Sequence, residues 1–178
     1  MLGIDNITDK TEKAIEKTKD FVNEIKEEGK IAAQISDQRA KADKLERNLL
    51  VERAKANRDR ADLLEKAVNK EQFSTSQRIQ FLKDAGALED EITQKEIEAA
   101  QLRLDAKIAE NALSGSTKED LQEEAQLRAN LINLETAKLT KQKEVTSQII
   151  ALTNEEKAAL QALKDKKDAI AKEKRQSK

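Results

Sequence analysis

Carboxylates are the groups of this chain with the most obvious chemistry, in the runs Glu89-Asp90-Glu91 and Glu155-Glu156. Two such acids can divide general-acid and general-base roles, as in glycoside hydrolysis, when a cleft fixes their separation and desolvates one of them. Little else is on offer. The chain has no His and no Cys, which excludes Ser-His-Asp and Cys-His nucleophiles, zinc fingers, haem and iron–sulfur ligation and imidazole acid–base pairs. Gly3, Gly29, Gly86 and Gly115 stand too far apart to form a phosphate-cradling loop, and the acid spacing of a calcium loop is missing. Only carboxylate, Lys or hydroxyl chemistry survives.

The elements that would have to position those acids argue against a site. Ala, Leu, Glu, Lys and Arg make up 100 of the 178 residues, with 2% aromatic, 39% charged and no Pro. That is the composition of long helices or coiled coils. Aromatic side chains bury the most area each, so without them the apolar surface has to be spread along seams. A rod of helices has no cleft, and the acids, Glu89, Asp90 and Glu91 included, are expected as solvated charge. The expectation is an all-α, elongated fold that is not an enzyme and has no catalytic, cofactor or metal residues. A fully helical chain of this length would measure ~270 Å at 1.5 Å per residue.

Breaks are few because Pro and Gly are scarce. The strongest is Ser114-Gly115-Ser116-Thr117, where Gly115 suits a left-handed C-terminal cap and Ser116-x-x-Glu119 reads as a capping box. Acidic Glu119, Asp120, Glu123 and Glu124 then sit near a helix N-terminus, where the macrodipole favours them. Ser74-x-x-Gln77 offers a second start and Thr153-x-x-Glu156 a weaker third, through which an uninterrupted helix is preferred. The predicted order is a long helix over 5–71, a second over 72–113 and a third over 117–173, with 174–178 a basic frayed tail. The tight turn at 114–117 predicts that helices two and three fold back as an antiparallel hairpin.

Columns of apolar residues show how the helices associate. Stepping by seven gives Ile7, Ala14, Phe21, Glu28, Ile35, Ala42, Leu49, Ala56 and Leu63, and only Glu28 is polar. A seven-residue repeat held that long implies a left-handed seam. Four positions on, the column becomes Arg39, Glu46, Arg53 and Arg60, so the second half of this helix reads as one apolar column flanked by charge. The basic residues Lys44, Arg47, Arg53, Lys55, Arg58 and Arg60 are expected to pair with Asp43, Glu46, Glu52 and Asp59 along the helix surface.

In the second helix, Phe81, Ala85, Leu88, Ile92, Lys95, Ala99, Leu102, Ala106, Ala109 and Leu113 alternate steps of three and four. Lys95 intrudes as a register-setting residue. A second stripe, Ile97, Leu104 and Ile108, lets this helix touch two neighbours. The third helix carries Leu127, Leu131, Leu134, Lys138, Lys141, Val145, Ile149, Leu152, Leu160, Leu163 and Ile170 at the same spacing.

Protein partners are expected through these seams, a homo-oligomer first of all. The basic residues Lys164, Lys166, Lys167, Lys172, Lys174, Arg175 and Lys178 give 164–178 seven cations against three acids. They could meet nucleic acid or an anionic membrane, but complementing a helix C-terminus is the favoured role. Missing aromatic interleaving argues against single-strand binding. The start, Met1-Leu2-Gly3-Ile4-Asp5, has no basic flank and apolar stretch of a secretory signal. The longest apolar run, Ile149-Ile150-Ala151-Leu152, is far short of the ~20 residues of a membrane span. A soluble chain is expected.

The stretch from Ala42-Asp43-Lys44-Leu45-Glu46-Arg47 through Arg58 resembles helical regions of bacteriophage tail tape-measure proteins, in particular those of Bacteroidetes phages and prophages. The stretch Phe73-Ser74-Thr75-Ser76-Gln77-Arg78 through Ile92 is similar to them too, and Lys95–Leu113 and Ser116–Leu134 continue the likeness. It covers about residues 40 to 150. The resemblance implies a virion structural protein, extended inside a tail tube or stored in the particle and ejected with the genome. It would be located in the virion, with other virion proteins as partners beside its own copies, and in host cytoplasm during assembly. Tape-measure proteins are usually far longer and often carry apolar membrane-active segments. Neither holds here, which leaves a fragment, a short relative or a different helical virion protein. A cellular coiled-coil scaffold and a peripheral binder of anionic surfaces are the rival expectations.

Overall fold

The computed structural model describes residues 5–176, with side chains described over 16–173 and at Arg175. Three helices account for nearly all of them: α1 (Asp5–Val68), α2 (Thr75–Ser114) and α3 (Lys118–Gln176). The fold is all-α, without a strand among the described residues. The third helix runs through Thr153 without a break, and the hydroxyl of Thr153 donates back to the carbonyl of Ile149 at 2.8 Å. That local bond is how Ser and Thr are accommodated inside helices.

Local chemistry explains both breaks. Ser74 and Gln77 form a reciprocal box: Ser74 N–H donates to Gln77 Oε1 at 3.0 Å and Gln77 N–H to Ser74 Oγ at 3.3 Å. Gly115 closes α2 at φ +67°, the left-handed conformation that glycine reaches without a Cβ penalty. The box that opens α3 is shifted by one residue from the expected Ser116/Glu119 pair. Thr117 and Asp120 form it, with Thr117 N–H to Asp120 Oδ2 at 3.0 Å and Asp120 N–H to Thr117 Oγ1 at 3.2 Å. Ser116 is occupied elsewhere, its hydroxyl donating to the carbonyl of Asn111 at 3.2 Å.

The helices pack in two compact units, Met1–Leu45 with Glu98–Leu131 and Glu46–Ile97 with Ile132–Lys178. In the first, Arg39 meets Glu110 and Asp43 meets Arg103, so α1 and α2 run antiparallel there. Its core is small: Ile35, Ala42, Ala99, Ala100, Leu104 and Ala106 are buried. In the second, α2 pairs antiparallel with α1 through Lys95–Glu52 and Arg60–Glu89. It also pairs antiparallel with α3 through Gln94–Lys138, Asp90–Gln142 and the approach of Gly86 to Val145. Buried Leu49, Ala67, Leu82, Ala85 and Ile92 form this core, and Phe73 meets Phe81 edge-on, centroids 5.0 Å apart, over the α1–α2 connection. Helix α2 thus touches two neighbours, as its two stripes predict.

The expected seams are filled over only part of their length. On α1, Ile35, Ala42 and Leu49 are buried and Ala56 and Leu63 half-buried, but Phe21 is 61% exposed. Ile7 and Ala14 lie outside the described side chains. On α3, the seam from Leu127 through Leu152 is half-buried, whereas Leu160, Leu163 and Ile170 are exposed. The register gives the reason for α3: with Gly86 against Val145, α2 is used up at Thr75, opposite Glu156. Past that point α3 has no helix beside it among the described residues.

Candidate functional site: ionic clusters between the helices

In the second unit α1 presents a ladder in steps of four and three, Leu49, Arg53, Ala56, Arg60, Leu63, Ala67. It faces a ladder of α2, Leu82, Ala85, Glu89, Ile92, Glu96. From Leu49 to Leu63 and from Ala85 to Glu96 charged and apolar residues alternate, arginines on one helix and glutamates on the other. Arg53 bridges Glu89 at 3.0 Å and Glu96 at 2.8 Å, and Arg60 Nε lies 3.8 Å from Glu89. Lys141 of α3 donates to the same Glu89. The Arg column read as flanking charge is therefore the second column of the seam.

Glu89 corrects the expectation of solvated acids, since only 5% of it is exposed. Burial opposes its charge. Hydrogen bonds from Lys141 and Arg53, together with their positive charge, outweigh that and hold the carboxyl below its ordinary range. Its neighbours do different work: Asp90 accepts from Gln142 of α3 at 3.0 Å, while Glu91 is exposed and pairs with Lys95 at 2.9 Å. Lys95 also reaches Glu52 of α1 at 2.7 Å, as a register-setting lysine should, and these bonds raise its pKa. The acidic residues expected to pair along α1 in part pair across it, Asp43 with Arg103 and Glu52 with Lys95. Asp59 stays local, with Arg58.

The first unit holds the mirror case, a buried cation. Lys107 of α2, a residue that periodicity does not single out, places Nζ 2.7 Å from both Asp120 and Glu123 of α3. Hydrogen bonds donated to those carboxylates raise the Lys107 pKa, and the Lys107 ammonium with the Thr117 hydroxyl holds Asp120 well below the usual carboxylate range. Asn111 donates to Glu124 at 2.9 Å, and Arg128 and Asn111 lower the Glu124 pKa. Of the acids expected to answer the helix dipole at the start of α3, Asp120, Glu123 and Glu124 thus also fasten the hairpin.

At the α1–α2 connection the buried Arg78 donates from Nε to the carbonyl of Ala67 at 2.7 Å, satisfying an orphan acceptor at the end of α1. Glu155 of α3 lies 3.9 Å from Arg78 and 2.8 Å from Lys70, whose hydrogen bond lowers its pKa. The acids Glu89 and Glu155 thus belong to different clusters and do not form a pair. Glu89 and Asp90 do line a cleft of about 440 Å³ with Arg60, Lys83 and Lys141. Both carboxylates are already engaged by neighbouring side chains. No group of three or more acids among the described residues could hold a metal ion, and no helix among them is long and apolar enough to cross a membrane.

The chain matches no protein-family model, no curated protein and no solved structure.

Proposed function

We propose that this chain is a non-enzymatic helical structural protein of a phage particle, tape-measure-like in kind, which works by holding helices in register and associating through its seams. The observation that carries the reading is the fate of the charged groups. Glu89, Glu96, Lys107 and Asp120 each join one helix to another, and Glu155 joins α3 to Arg78 of α2 and to Lys70 in the α1–α2 connection. Buried ion pairs are weak sources of stability, and their best-attested use is to fix which surfaces meet and in what register. Register is what a structural assembly of helices requires. The resemblance of residues 40–150 to tail tape-measure helices supplies the phage context.

Mass spectrometry of purified particles tests it, using the phage or induced prophage that encodes the chain. The chain should be found in particles at a fixed ratio to the tail or capsid proteins. Abundance in the lysate with absence from purified particles would overturn the reading.

A further inference from the structure

Two stretches of helix extend beyond their partners and keep apolar residues in the open. In the first unit every side chain of α1 over residues 16–30 is exposed, with Phe21 at 61%, Val22 at 41% and Ile25 at 50%. In the second, every described side chain of α3 over 157–175 is exposed, with Leu160 at 54%, Leu163 at 56% and Ile170 at 53%. Neither set is scattered. Phe21 stands in the seven-residue column that runs through exposed Glu28 to buried Ile35 and Ala42, and Leu163 and Ile170 stand in the column of Ile149, which runs through Glu156. Each overhang is half of a seam without its other half.

Their charges differ in sign. Over these exposed stretches, residues 16–30 carry five acids and four bases, a net of −1, whereas 157–175 carry seven bases and three acids, a net of +4. Pairing two basic overhangs brings like charge together along the whole contact, which is unfavourable. Pairing the basic one with the acidic one is favourable, and it joins two stretches of comparable length with the same repeat.

We infer that the exposed basic overhang of α3 docks on the acidic overhang of α1 of a second copy of this chain. Such a contact is heterologous: each copy uses one surface to give and a different one to receive, so the assembly is open-ended unless the rotation closes it into a ring. The contact is narrow and its apolar residues are few, so association is reversible and rises with concentration. Its electrostatic part weakens as salt screens it. The inference goes beyond the particle reading and stands without it, since self-association is measured on the purified chain alone.

Sedimentation velocity on the full chain over a roughly hundredfold concentration range, at about 50 mM and about 500 mM salt, tests it. The weight-average mass should climb past that of a dimer at low salt and fall back at high salt. Two double variants then separate the surfaces, Phe21→Glu/Ile25→Glu and Leu163→Glu/Ile170→Glu, with circular dichroism confirming an unchanged helix content. Each alone should remain monomeric, and an equimolar mixture should stop at a one-to-one dimer, because one good surface of each kind is left. Full association by either variant alone would overturn the proposal, as it would show an isologous contact. A chain that stays monomeric at every concentration would overturn it too, and co-sedimentation of that monomer with phosphatidylserine vesicles or duplex DNA would reassign the basic overhang to an anionic surface.

Discussion

Nη1 of Arg53 lies 3.0 Å from Oε1 of Glu89, tying α1 to α2 between residues 36 apart in sequence. The same carboxylate receives Lys141 from α3, so one buried acid holds three helices. Removing its charge while keeping its shape isolates the effect. Glu89→Gln should destabilise the fold by about 2–3 kcal/mol, because Arg60 and Lys141 keep their charges and lose this partner, and Arg53 is left with Glu96 alone. The value falls short of a deeply buried pair because those cations are 30–39% exposed and partly rehydrate. Glu91→Gln, on an exposed acid, should stay within about 0.5 kcal/mol. Urea unfolding of the two variants checks the contrast.

Much of the architecture was legible because seams repeat. Leu127, Leu131, Leu134, Val145, Ile149 and Leu152 stand at regular spacing on α3, and no knowledge of the partner is needed to see them. Glycine and the hydroxyl boxes marked both turns for similarly local reasons. Glu89 and Lys107 were not legible, because a charged residue on a helix looks the same whether water or an opposite charge meets it. A signal for Glu89 was nonetheless present: Leu49-Arg53-Ala56-Arg60 on α1 and Ala85-Glu89-Ile92-Glu96 on α2 share one spacing and carry opposite charges. It becomes visible only when two helices are compared as facing ladders. Nor could one helix's column show where its neighbour stops, which is why Phe21 and Leu163 read as core.

Core and overhang leucines and isoleucines should respond differently to truncation. Ile92 is 4% exposed and Leu163 is 56% exposed, although both occupy seam positions in sequence. Ile92→Ala should cost about 2–4 kcal/mol through lost transfer energy and a residual cavity. Leu163→Ala should cost less than about 0.5 kcal/mol in dilute solution. Equal losses would mean that α3 is covered beyond Glu156.

Acid and alkali should each unfold the protein, with a wide flat region between. Glu89, Glu124 and Glu155 are lowered from an ordinary 4.5 and Asp120 from 3.8. Their stabilisation is therefore complete above those ordinary values and is lost as pH falls through the lower folded ones. Lys95 and Lys107 are raised above 10.5, so their contribution is complete below 10.5 and is lost as pH rises through the raised values. The chain has no His, the side chain whose ordinary pKa lies near neutrality. The Tm followed by circular dichroism should be constant from about pH 6 to about 9 and drop below about pH 4. A step near pH 6.5 would contradict this account.

Gly86 and Gly29 both lie inside helices, yet substitution by Ala should affect them differently. At Gly29 a Cβ would meet nothing within 4 Å, so Gly29→Ala should stabilise by about 0.5–1 kcal/mol through helix propensity alone. At Gly86 the new Cβ would lie 3.3 Å from Cγ1 and 3.4 Å from Cγ2 of Val145, across the contact between α2 and α3. A valine in a helix is held to one rotamer, so it has little freedom to turn its methyls away. The tight contact should cancel the propensity gain and leave Gly86→Ala neutral to destabilising. In a Val145→Ala background those methyls are gone, and Gly86→Ala should then stabilise as Gly29→Ala does. The double-mutant cycle should show a coupling of about 1 kcal/mol by chemical denaturation of the four proteins. If Gly86→Ala alone stabilises as much as Gly29→Ala, the two helices can separate slightly without cost, and the close approach at Val145 does not fix their register.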